Sequence, residues 1–112
     1  MNPNGKTSES AVTAETNKGA HSSTWTFLTN HAHVLSLIHD EPEILLREVA
    51  SRVGITERAV QRIVQDLEHE GFLRIEKVGR RNRYEVELTK TLRHPIESHR
   101  SIGDFLTMLA RG

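Results

Sequence analysis

The 112-residue sequence contains no cysteine, which removes disulfides, thiolate metal ligands and a cysteine nucleophile from consideration. It has no apolar run long enough to span a bilayer, and its first residues lack the apolar centre of a signal peptide. A soluble cytoplasmic protein with no membrane partner is therefore expected. There is no glycine-rich phosphate loop and no GxSxG nucleophile turn. The acids fall beside arginines on helix faces, where ion pairing is their ordinary use. Neither an enzyme nor a cofactor is expected. Seven histidines raise the question of metal, but His31 and His33 project about 200° apart on a helix. His94 and His99 are near enough in sequence to approach each other, yet no HExxH-like spacing accompanies them. Surface and packing roles are expected for the histidines, and no metal site.

Net charge is also missing, since 15 basic residues balance 15 acidic ones. The balance hides a division along the chain. Residues 1–46 carry two basic and five acidic groups (−3), and residues 47–93 carry eleven against eight (+3). Charges are screened within about 8–10 Å at physiological salt, so the local excess counts for more than the total. The apolar fraction of 36% is low, and the deficit lies at the front. Residues 1–23 are Ser-, Thr-, Asn- and Gly-rich with little to bury, and they read as a disordered arm. Residues 24–93 then form one folded domain, and residues 94–112 a C-terminal helix.

The folded part begins at Trp25, Phe27 and Leu28. After Thr29 or Asn30, either of them a plausible N-cap, His31 to Asp40 has Val34, Leu35 and Ile38 on one side, a helical stripe. Pro42 stops it, and Ile44-Leu45 suits a very short strand. Leu46 to Val53 is a two-turn helix with its stripe at Leu46, Val49, Ala50 and Val53. Gly54 stands where a left-handed C′ residue belongs, and Thr56 is placed to cap a helix from about Glu57 to Glu70. From Phe72 the period changes to two, over Phe72 to Val78 and Arg83 to Leu88. Gly79-Arg-Arg-Asn82 between them predicts a β-hairpin. Pro95 suits the first turn of the final helix, whose stripe is Ile102, Phe105, Leu106 and Leu109.

The spacing of Ala50, Gly54 and Val60, inside two stripes joined by a short turn, carries the functional signal. Ala50 is small where helices cross, Gly54 permits the turn, and Val60 anchors the second helix; Val49, Ile55 and Ile63 complete the pattern, which resembles the helix-turn-helix motif. At about 100° per residue, Val60, Ile63, Val64 and Leu67 share one side of that second helix. Arg58, Gln61, Arg62 and Gln65 share the opposite side with no acid among them. Arginine pairs bidentately with guanine and glutamine with adenine. The hairpin tip adds Lys77, Arg80, Arg81 and Arg83 with no acid between them, a phosphate-seeking cluster.

Helix, short strand, helix-turn-helix and basic hairpin together resemble the winged helix-turn-helix regulators, similar to the MarR and ArsR groups, over roughly Trp25 to Leu88. The expected fold is mainly α with a small β-hairpin wing (α+β). The resemblance implies a transcriptional regulator binding specific double-stranded DNA sequences as a homodimer. Its recognition helix would enter the major groove, with Arg58, Gln61, Arg62 and Gln65 reading bases and Thr56 at a phosphate. The wing residues Lys77, Arg80, Arg81 and Arg83 would lie on the flanking backbone. Dimerisation is expected through the final helix and the chain near the first, with Trp25, Leu28, Ile102, Phe105, Leu106 and Leu109 in the interface. No sequence feature supports a small-molecule effector. The competing readings are a winged helix used only for protein–protein contact, and shape recognition of duplex RNA or non-B DNA.

Overall fold

The computed structural model describes residues 25–110; the arm expected over residues 1–23 lies outside them. Helix α1 (Asn30–Asp40) starts where Thr29 turns its side chain to accept the Ala32 amide at 3.2 Å. Its Val34, Leu35 and Ile38 go into the core, and the Glu41 amide closes its last turn on the Leu37 carbonyl. The short strand expected at Ile44-Leu45 does not form. The Ile44 amide is taken by the Glu41 carbonyl at 3.0 Å, closing a turn around Pro42, and α2 begins only two residues later. What remains of sheet pairing there is one bond, from the Tyr84 amide to the Pro42 carbonyl at 2.8 Å.

Helix α2 (Leu46–Val53) ends on Gly54, whose φ of 89° is the left-handed conformation that costs a side-chain-bearing residue most. That turn lets the Gly54 and Ile55 amides both bond the Ala50 carbonyl, at 2.8 and 3.1 Å. Thr56 then caps α3 (Glu57–His69), accepting the Ala59 amide at 3.0 Å. Three residues therefore separate the helices, and α3 buries Val60, Ile63, Val64 and Leu67 as its stripe requires.

Strands β1 (Leu73–Val78) and β2 (Arg81–Val86) form an antiparallel hairpin. It is tighter than the sequence suggests. Val78 pairs with Arg81 and Lys77 with Asn82, so the turn is Gly79-Arg80 alone. Gly79 takes φ 64°, as the two-residue turns that match strand twist demand. Leu73, Ile75 and Lys77 share one face with Asn82, Tyr84 and Val86, and the core covers Leu73 and Tyr84 at its root. The opposite face carries Arg74, Glu76 and Val78 across from Glu85, Arg83 and Arg81.

The final helix also starts later than expected. Pro95 lies in a series of turns, and α4 spans Ile102–Leu109. A reciprocal cap explains the start: Ser101 accepts the Asp104 amide while the Asp104 carboxylate accepts the Ser101 amide, which holds that carboxyl below its ordinary pKa. The Ile102 and Gly103 amides are consumed by the Lys90 and Leu88 carbonyls at 2.7 and 2.9 Å. A Cβ on Gly103 would sit 3.2 Å from that Leu88 oxygen, a contact tight enough that the neighbouring backbone would have to give by a few tenths of an ångström. The helix thereby puts Ile102 and Leu106 into the core of its own chain, each 5% exposed. Both were expected at a dimer interface, and their apolar surface is already used within one chain.

Candidate nucleic-acid interface

The outer side of α3 is the largest surface on which the expected site residues meet. Arg58, Gln61, Arg62 and Gln65 are all exposed, and none makes a hydrogen bond or ion pair with another described residue. The reason is local. Four aliphatic residues lock the inner side, so helical spacing throws these four outward. The nearby acid Asp66 is turned to the flank, where its carboxylate lies 2.9 Å from His31 Nε2 on α1. Two guanidiniums and two amides are thus presented without internal neutralisation. At the head of this helix Thr56 is exposed, with its hydroxyl engaged as the cap.

The four wing cations divide into two pairs. Lys77, at the outer end of the core-side face, and Arg80, in the turn, are exposed and make no bond to described residues. Arg81 and Arg83 stand on the other face and reach back to the α1–α2 loop. Arg81 donates to the Glu43 carbonyl at 2.9 Å, and Arg83 lies 3.7 Å from the Glu43 carboxylate. Together with the Tyr84–Pro42 bond, these contacts brace the hairpin against the loop. Nothing in the sequence pointed to Glu43, because the Arg81 contact spans 38 residues. Nearer the root, Arg74 bonds Glu85 at 2.8 Å and lies 3.5 Å from Glu87, which raises the Arg74 pKa above its ordinary value. Glu85 and Glu87 therefore have a basic partner of their own.

Of the residues expected between two copies, Trp25 is 66% exposed, while Leu28, Phe105 and Leu109 are half-buried. The Trp25 ring stands edge-on to Phe27 at 5.0 Å. Phe27, 92% exposed, and Met108, 69% exposed, are further apolar side chains left outside the core. Three histidines, His31, His33 and His94, make side-chain contacts among the described residues. His33 is half-buried against Asn30 and burial lowers its pKa, favouring the neutral ring. His94 Nδ1 accepts the Ile96 amide at 3.0 Å. Among the described residues no group of three or more histidines and carboxylates is arranged to hold a metal, and no helix is long and apolar enough to cross a membrane.

Residues 29–74 match the model of a family described as winged helix-turn-helix DNA-binding. The match runs from the α1 cap through the two helices and their turn and stops inside β1. The rest of β1, the turn and β2 (Arg81–Val86) follow it in the structure. No curated protein matches the chain.

Proposed function

We propose that the protein, whose residues 29–74 match the winged helix-turn-helix DNA-binding family, is a transcriptional regulator that binds specific duplex DNA as a cytoplasmic homodimer. The resemblance to the MarR and ArsR groups belongs with this reading. One observation carries it: the exposed side of α3 presents Arg58, Gln61, Arg62 and Gln65 with no partner among the described residues. Arginine matches guanine O6 and N7, and glutamine matches adenine N6 and N7, when a helix lies in the major groove. A module that bound only protein would want an apolar or acidic side there, and this one is basic and amide-rich. The α3 N-terminus, with Thr56, supplies backbone amides to a phosphate. Lys77 and Arg80 extend toward the flanking backbone, and Arg81 and Arg83 both add positive charge and hold the wing in place. A second copy would pack on Trp25 and Leu109, with Met108 beside them, and leave the groove-lining Leu28 and Phe105 uncovered.

Selection of bound duplexes from a random pool tests the whole reading. The expected result is an enriched palindrome whose half-sites lie about 34–36 Å apart, one helical turn. Recovery of no preferred sequence would remove base readout, and an asymmetric single site would remove the symmetric dimer.

The wing makes a separate prediction. Arg80 lies in the turn, and its side chain makes no hydrogen bond or ion pair with a described residue, so Arg80→Ala should weaken binding to all duplexes alike. The slope of log K against log salt should shrink by about 0.9, the value for one lost phosphate contact. Titrations of one specific and one random duplex at several salt concentrations would show it. A loss confined to the specific duplex would place Arg80 on a base instead.

A further inference from the structure

On the flank of α3, away from the wing, the chain leaves an open groove of about 750 Å³ between α1, the C-terminal half of α3, the loop before α4, and α4 itself. Its lining is apolar, with Phe27, Leu28 and Phe105 accessible over the buried Leu35, Phe72 and Ile102. Such a volume is within the range of sites for small organic ligands. The rim is acidic. Asp66, Glu70 and Glu97 stand around it against a single guanidinium, Arg93, so carboxylates outnumber permanent cations by three to one. The internal pairings do not cancel that excess. Arg93 approaches Glu70 only at 3.9 Å, Glu97 accepts the His94 amide at a long 3.4 Å, and Asp66 faces an imidazole.

An apolar floor with aromatic rings and a surplus of carboxylates is the complement of a cation whose charge is spread over greasy substituents. Phe105 and the exposed Phe27 offer π surface to it, and the attraction is already illustrated at Phe72, where Lys90 Nζ lies 5.2 Å from the ring's centre. An anion of the same shape would meet the same floor and be repelled at the rim. We propose that this groove is a binding site for lipophilic organic cations, such as aromatic amines or quaternary onium ions. The site stands apart from the base-reading side of α3 except at Gln65, which borders both. An occupant is therefore placed where the recognition helix would register it.

Two probes of nearly identical shape and opposite charge give the test. Calorimetric titration of the full chain with tetraphenylphosphonium and with tetraphenylborate, both without DNA, should show the phosphonium binding about tenfold or more tighter. The doubly neutralised variant Asp66→Asn/Glu70→Gln, checked for an unchanged melting temperature, should lose most of that preference while still accepting both ions weakly. Equal affinity for the two ions, or no binding of either, would overturn the proposal. So would phosphonium binding that disappears as the chain is concentrated into dimers, because the groove would then be an interface between copies. Since no DNA is present, failure here leaves the regulator reading standing. A failed duplex selection would likewise leave the cation site untouched.

Discussion

Arg62→Ala should lower affinity for the selected duplex by about 5- to 150-fold, the equivalent of about 1–3 kcal/mol for one bidentate arginine–guanine contact. Affinity for random duplex should fall far less. Arg62 occupies the middle of the exposed side of α3 and makes no bond to a described residue. Removing it breaks nothing inside the fold, and the variant should melt with the parent. Discrimination is the decisive quantity. If specific and random duplexes lose the same factor, Arg62 touches phosphate, and base readout would have to rest with Arg58 and the two glutamines. Competition binding at fixed salt measures both losses together, and it avoids the ionic-strength dependence that confounds comparison of separate affinities.

The second large effect is on stability. Ile38 is completely buried, on the helix that packs against α2, α3 and β2. Ile38→Ala should cost about 2–5 kcal/mol, from lost transfer energy and from the cavity that a close-packed core cannot collapse. Thermal unfolding should move down by more than about 8 °C for a domain of this size. Such a loss is a large part of the total stability of a small domain, so DNA binding at elevated temperature should disappear with it. Met108→Ala serves as the comparison. Its side chain is 69% exposed, and within one chain the change should stay within about 0.5 kcal/mol. A comparable loss from Met108→Ala at high protein concentration would instead point to its burial between two copies.

Much of this fold is legible because its signals are local. Thr29, Thr56 and Gly54 act within a few residues of themselves, as two N-caps and a left-handed C-cap. The stripes of α2 and α3 need only helical periodicity, and the outward side of α3 follows by subtraction. The expectations that failed turned on competition for partners. Ile44 has the composition of a strand residue, but its amide was claimed by Glu41. Pro95 is well suited to begin a helix, but the Ser101–Asp104 cap and the Leu88 and Lys90 carbonyls put the start at Ile102. Gly79 with three polar neighbours reads equally well as a longer link; strand pairing up to Val78 and Arg81 made it a two-residue turn.

For the candidate site the division is sharper. Composition and spacing by themselves determined that one side of α3 is aliphatic and the other basic and amide-rich, because a helix of that length converts order along the chain into direction around an axis. They also determined that the hairpin end is cationic. Only the tertiary structure decided which of those cations stay available: Arg81 and Arg83 are held at Glu43, while Lys77 and Arg80 are not. It likewise put Ile102 and Leu106 into the core of their own chain and opened the acid-rimmed groove beside α3. Those outcomes depend on which distant residue reaches a given atom first, and periodicity along a single chain carries no information about that.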